Sequence, residues 1–137
     1  ITLPVRYKKR KGNNQRMKEK IISVNILGEI RIREIEFDNF NEEIKPYIGD
    51  GESYYQIVSC SFLNHHFRKK GINCLILLDD EGKLKRLPIN HIATMFYANR
   101  NDIIVGDAVI CTVEGDHFSG VPEEVIEYMK ELTGNEL

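Results

Sequence analysis

The sequence predicts a single small α+β domain: a mixed, mostly antiparallel sheet with short helices packed on it, behind a basic N-terminal arm. Three observations lead there. KIISVNIL (20–27) and IRIREIEF (30–37) are β-branched runs on either side of a short Gly-containing connection, which is the pattern of a β-hairpin. INCLILLDD holds an unbroken apolar run of strand length at 72–78, as expected of a central strand buried on both faces. The C-terminal segment places Val125, Ile126, Met129 and Leu132 at helical spacing. A length of 137 residues suits one domain and can bury a core without covalent staples.

The elements follow in order. In 30–37 the apolar set is Ile30, Ile32, Ile35 and Phe37, with a phase slip at Arg33-Glu34 that predicts a bulge or the strand's end. FDNFNEEIKPYIGDG predicts a helix of about two turns, capped by Asp38 or Asn39. Phe40, Ile44 and Ile48 share its face, Pro46 limits it, and Gly49 and Gly51 end it. SYYQIVSCSFL (53–63) is a strand by its β-branched and aromatic content, and LNHHFRKKGIN is a polar excursion. After the 72–78 strand, DDEGK (79–83) is a turn and LKRLP ends at Pro88. Asn90 caps a short helix in HIATMFYANR, where Ile92, Met95, Phe96 and Asn99 recur at helical spacing. DIIVGDAVICTVEGD is the last strand, and its Gly106 marks a bulge or a close backbone approach. The closing helix starts with Pro122 at its first position, carries Glu123 and Glu124 at its positive end and stops at Gly134. The order is β-β-α-β-β-α-β-α.

Charge divides the chain. Residues 1–20 hold eight cationic side chains against Glu19 alone, leaving eleven basic and twenty acidic residues in the remainder. A cationic arm of +7 therefore precedes an anionic body of -9. Such a body repels nucleic-acid phosphates unless its basic groups cluster; the arm could contact nucleic acid or fold back on the body. Met17 opens MKEKIISVNILG, which reads like a natural start, so residues 1–16 are expected to be an upstream extension, disordered or added to the natural chain, with the domain at 17–137. No apolar run approaches the roughly 20 residues of a membrane helix, and the expected location is the cytoplasm. Cys60, Cys74 and Cys111 are scattered and lie in apolar runs, so they are expected to be buried small hydrophobes in a reducing compartment.

No motif names a reaction. His65-His66 lacks the neighbours that would complete a metal set, and no metal or cofactor is expected. With Arg68, Lys69 and Lys70 these histidines make the body's one basic cluster, a candidate anion or nucleic-acid contact in which Phe67 could stack on a base. Asp79-Asp80-Glu81-Gly82 lacks the spacing of a calcium loop and reads as a turn. There is no G-x-S-x-G elbow and no Gly-rich phosphate loop. Tyr54, Tyr55, Phe96 and Tyr97 are expected in the core or an interface. The alternating hairpin leaves edges that could pair in a homo-oligomer.

CLILLDDEGKLKRLPIN followed by DIIVGDAVIC resembles the DUF3846 family, small proteins carried by phages and by integrative or conjugative elements. Glu81, Gly82, Lys83, Leu84, Leu87, Pro88 and Asn90 match one family block, and Ile104 and Gly106 match the next. YIGDG…YYQIV resembles the segment before them, and the likeness spans roughly 20–133. The departure is His91, where the family commonly has Arg. The resemblance implies a non-enzymatic accessory protein in a bacterial host, acting in counter-defence. It would bind a host defence protein, to which an acidic surface could mimic nucleic acid, or sequester a small nucleotide-like ligand. Because the family-like residues gather there, the expected site is Asn90, His91, Tyr97, Gly106 and Asp107. The alternative is a nucleic-acid-binding module using the arm and the 65–70 cluster.

Overall fold

The computed structural model describes residues 18–52 and 54–137, together with the backbone of a two-residue strand, β1 (Arg6–Tyr7). The other residues of the arm, and Met17 as a start, lie outside the described residues. Strands β2 (Lys18–Val24) and β3 (Ile30–Glu36) form the expected hairpin. A 3₁₀ turn at Phe37–Asn39 leads into α1 (Phe40–Ile44), and Pro46 ends that helix in a second 3₁₀ turn, Lys45–Tyr47. Asn39 sits at the cap position of α1, but neither helical piece gains a side-chain cap.

The predicted strand 53–63 is half strand and half helix. β4 spans Tyr55–Ser59, and α2 (Ser61–His66) then takes up the SFL sequence and the start of the polar excursion. Leu63 and Phe67, three apolar positions in from a strand-like run, are buried because helical spacing turns both onto the sheet. A 3₁₀ turn follows at Arg68–Lys70 and ends at Gly71 in the left-handed region (φ 69°). β5 (Cys74–Asp79) is buried at all six positions. α3 (His91–Tyr97) is capped by Asn90. The predicted last strand is shorter, β6 (Ala108–Glu114), and turns at Gly115 into an extra strand, β7 (His117–Ser119). α4 (Glu123–Thr133) closes the fold with Pro122 just outside its first turn and Gly134 as its left-handed C-cap.

Across the sheet the order is β3-β2-β6-β5-β4, with every neighbour antiparallel. β6 pairs with β2 through 108–110, and β7 takes the other end of β6 through 112–114. β1 adds a short parallel pair on β7. Six strands are thus antiparallel among themselves, with α-helices packed on them, as the α+β reading expects.

Both faces are covered. On one, Ile22, Val24, Ile76 and Ile110 pack with Leu63, Ala93, Phe96, Ile126 and Met129 from α2, α3 and α4. On the other, Ile21, Leu75, Leu77 and Val109 pack with Phe40 and Ile44 from α1, and Phe40 stacks on Phe118 at 4.7 Å. This two-sided burial explains the slip at Arg33-Glu34. The β2–β3 ladder runs without interruption from Lys18↔Glu36 to Val24↔Ile30, so there is no bulge. Ile30 and Ile32 belong to the first face, and Ile35 and Phe37 to the second. The apolar set changes face because the helices above and below cover different ends of the strand.

Candidate functional site

The two family-like blocks lie side by side. Asn90 N donates to Ile104 O at 2.8 Å, Gly106 N donates to Pro88 O at 2.7 Å, and Ile89 forms a bridge with Val105. Asn90 itself is fully buried. Its Oδ1 accepts from Ala93 N at 3.0 Å, and its Nδ2 donates to Val24 O at 2.9 Å and to Gly106 O at 3.0 Å. One amide thus caps α3 and ties it to the end of β2 and to the approach to β6. Gly106 adopts φ +80°, and a Cβ there would come within 2.8 Å of Leu87 Cδ1 and 3.1 Å of Gly49 Cα. A side chain could enter only by moving backbone. Asn90 and Gly106 are therefore spent inside the chain.

His91 faces outward at the start of α3, and Tyr97, at its end, is half-buried against the core with its hydroxyl in reach of the next loop. His91 is exposed, with no hydrogen-bond partner among the described residues. Tyr97 Oη donates to Asp102 Oδ2 at 3.1 Å and accepts from Asn99 Nδ2 at 3.2 Å. Lys83 reaches across to Asp102 Oδ1, and that hydrogen bond holds the Asp102 carboxyl below its ordinary range. The loop that carries Lys83 exposes Leu84 (83%), and Ile89 (42%) and Ile103 (40%) are exposed on the two blocks that bridge to one another. Large aliphatic side chains gathered at a surface are candidates for contact with another molecule. Arg86, held at φ 56°, and Arg100 are exposed at the margin, and neither is paired among the described residues.

Asp107 points elsewhere. Its Oδ1 accepts from Ile26 N at 2.9 Å, and it lines a cavity of about 270 Å³ with Ser23, Arg31, Arg33 and Tyr47. The five residues expected as one site are thus divided among an internal tie, an outer surface and a separate cavity. A larger apolar groove of about 440 Å³ runs between α3, α4 and the hairpin, past Ile92, Met95 and Leu132.

The second predicted cluster is at the end of α2. His65, His66, Arg68, Lys69 and Lys70 are all exposed there. Lys70 pairs with Glu124 at 2.7 Å, and Arg68 Nη1 donates to His65 O at 2.8 Å. The His66 ring stacks on Tyr128, with centroids 3.7 Å apart. Phe67 is buried in the core and cannot stack on a base as expected, because the helix turns it inward. Tyr54 is 86% exposed, which takes it out of the core.

Elsewhere, Asp79 and Lys85 form a buried-to-surface tie. Lys85 Nζ donates to Asp79 Oδ2 at 2.9 Å and pairs with Asp50 at 3.1 Å. The bond to Asp79 raises the Lys85 ammonium above its ordinary range, and the bond from Lys85 lowers the Asp50 carboxyl. The DDEG segment is a turn, as expected: Gly82 N donates to Asp79 O at 3.2 Å, and Glu81 N to Asp79 Oδ1 at 2.8 Å. All three cysteines are buried with free thiols. Among the described residues no group of three or more His, Cys, Asp or Glu side chains could hold a metal ion, and no helix is long and apolar enough to cross a membrane.

The sequence reading missed the Arg33 cavity. The signal was there, because Arg31 and Arg33 alternate with Ile30 and Ile32 and must share a face. The alternation alone leaves that face open to water, whereas Pro46 and Tyr47 of the turn after α1 build over it. Residues 17–134 match the family model described as Domain of unknown function (DUF3846). No curated protein and no solved structure matches the chain.

Proposed function

The chain belongs to the DUF3846 family, and from that premise we propose that it is a non-enzymatic accessory protein of a phage or mobile element. It works in the bacterial cytoplasm against a host defence, by covering a surface of a host protein. One observation carries this reading: Leu84, Ile89 and Ile103 are each exposed on two loops whose backbones are tied to one another around Asn90 and Gly106. A rigid scaffold presenting aliphatic side chains loses little conformational freedom on docking. His91 and Tyr97 border the patch, and Arg86 and Arg100 suit a partner surface that is apolar with carboxylates around it.

The test starts from the host. A phage should plate more efficiently on a strain carrying the targeted defence when this protein is expressed. The purified defence protein should then bind it directly. Leu84→Asp with Ile103→Asp, and separately His91→Ala with Tyr97→Ala, should each weaken that binding at least tenfold, a loss of about 1.4 kcal/mol. The first pair should leave the melting temperature unchanged, whereas the second should lower it because Tyr97 packs half-buried against the core. Undiminished binding by both pairs would remove the patch from consideration.

Sequestration of a small nucleotide-like ligand would need a cavity with an anion-reading group, which the patch lacks. The nucleic-acid alternative has less support: Phe67 is in the core and Lys70 is paired with Glu124. Binding to RNA or DNA that weakens steeply with salt would favour it.

A further inference from the structure

Arg33 lies half-buried on the face of β3 that also carries Ile35, under the turn that follows α1. Three features fix its guanidinium. Its Nε donates to Ser23 Oγ at 3.1 Å, which sets the plane of the group. Ser23 is itself buried and its hydroxyl donates onward to Arg31 O at 3.4 Å. The guanidinium carbon stands 4.8 Å from the centre of the Tyr47 ring, a cation–π contact that holds the group from below.

What the guanidinium lacks is an anion. Nη1 and Nη2 have no hydrogen-bond partner among the described residues. The neighbouring Arg31 is already matched to Glu29 at 3.1 Å. The other acid in the cavity, Asp107, accepts from Ile26 N through Oδ1, and its Oδ2 has no partner among the described residues. The cavity therefore offers a pre-oriented fork of N–H donors and, apart from it, a spare carboxylate oxygen. A guanidinium fork matches the spacing of two oxygens on a phosphate or carboxylate, and a fixed one gives up little entropy on binding.

We propose that this cavity binds a small phosphomonoester, with two phosphate oxygens on Arg33 Nη1 and Nη2 and a hydroxyl or amino group of the ligand donating to Asp107 Oδ2. The volume of about 270 Å³ sets the size, just below the usual range of small-ligand pockets, which starts at about 300 Å³. A mononucleotide is the largest ligand of this class that suits it. The site shares no residue with the Leu84 surface, so this inference stands or falls separately from the proposed docking.

The experiment is calorimetric titration of the full chain with adenosine 5′-monophosphate, inorganic phosphate and adenosine. Saturable binding of one equivalent of the monophosphate is expected, with adenosine at least tenfold weaker. Arg33→Lys keeps the charge but loses the fork, and should weaken the monophosphate at least tenfold. Asp107→Asn should weaken the monophosphate while leaving inorganic phosphate unchanged or tighter, since it removes a like charge. Leu84→Asp should bind like wild type, so failure of the docking surface would not be mistaken for failure here. The proposal is overturned if neither phosphate nor the monophosphate saturates the protein by about 10 mM. It is equally overturned if Arg33→Lys binds as tightly as wild type, or if adenosine binds as well as its phosphate.

Discussion

Replacing Asn90 by Ala should unfold the protein far more readily than loss of one surface cap would suggest. The side chain is completely buried and makes three hydrogen bonds, to Ala93 N, Val24 O and Gly106 O. Loss of an N-cap costs about 1 kcal/mol. Each buried carbonyl left short of a donor costs about 1 kcal/mol or more. The total is about 3 kcal/mol, a shift of roughly 10 °C in melting temperature for a domain of this size. Urea denaturation followed by circular dichroism would measure it as a lower midpoint with an unchanged slope. Two further variants divide the total. Asn90→Ser keeps an oxygen for Ala93 N and should recover about 1 kcal/mol of the loss. Asn90→Asp keeps the cap but sets a carboxylate against two carbonyls; its destabilisation should ease at acid pH, as the carboxyl protonates. A loss below about 1 kcal/mol in Asn90→Ala would refute the three-way tie. Normal stability with lost partner binding would return Asn90 to a contact role.

Gly106→Ala must hold a Cβ at φ +80° against Leu87 and the backbone of Gly49, and should cost about 2 kcal/mol in the same urea assay. The thiols should be inert in the native state: burial pushes Cys74 up to about 12 and also raises Cys60 and Cys111 above the ordinary thiol range, so a thiol reagent at pH 8 should label none of the three until urea unfolds the chain. Lys85 and Asp50 set a pH window. The raised Lys85 gives stability that is complete below its unfolded value of about 10.4 and is lost as pH rises past its folded value. The lowered Asp50 gives stability present above about 3.9 and lost as pH falls through its folded value. Lys85→Met should flatten both arms of a urea-midpoint profile between pH 3 and pH 11.

The legible parts of the fold were those where pattern alone fixes the environment. The five buried apolar residues of β5, Cys74 to Leu78, and the stripe of α4 could be read from hydrophobicity, because no other arrangement buries them; the burial of Asp79 could not. The Asn90 cap was legible because capping is a local event. α2 was not, since SFL is short and apolar and suits strand or helix equally until its packing against β5 and α3 decides. β7 was hidden for a related reason: three residues gain strand structure only from the neighbour that pairs with them.

The sequence by itself determined the class of the fold, the family, the central strand, the closing helix and the cap of α3. These depend on local spacing and side-chain chemistry. Only the tertiary structure decided which residues around the family blocks are available. It buried Asn90 and Gly106, left His91 and Leu84 outside, half-buried Tyr97 against the core, and placed Asp107 in one cavity with Arg33. The physical reason is that availability depends on what covers a residue, and the covering elements come from distant parts of the chain. Ile26 and Asp107 meet across 81 positions, and no spacing rule in the sequence spans that distance.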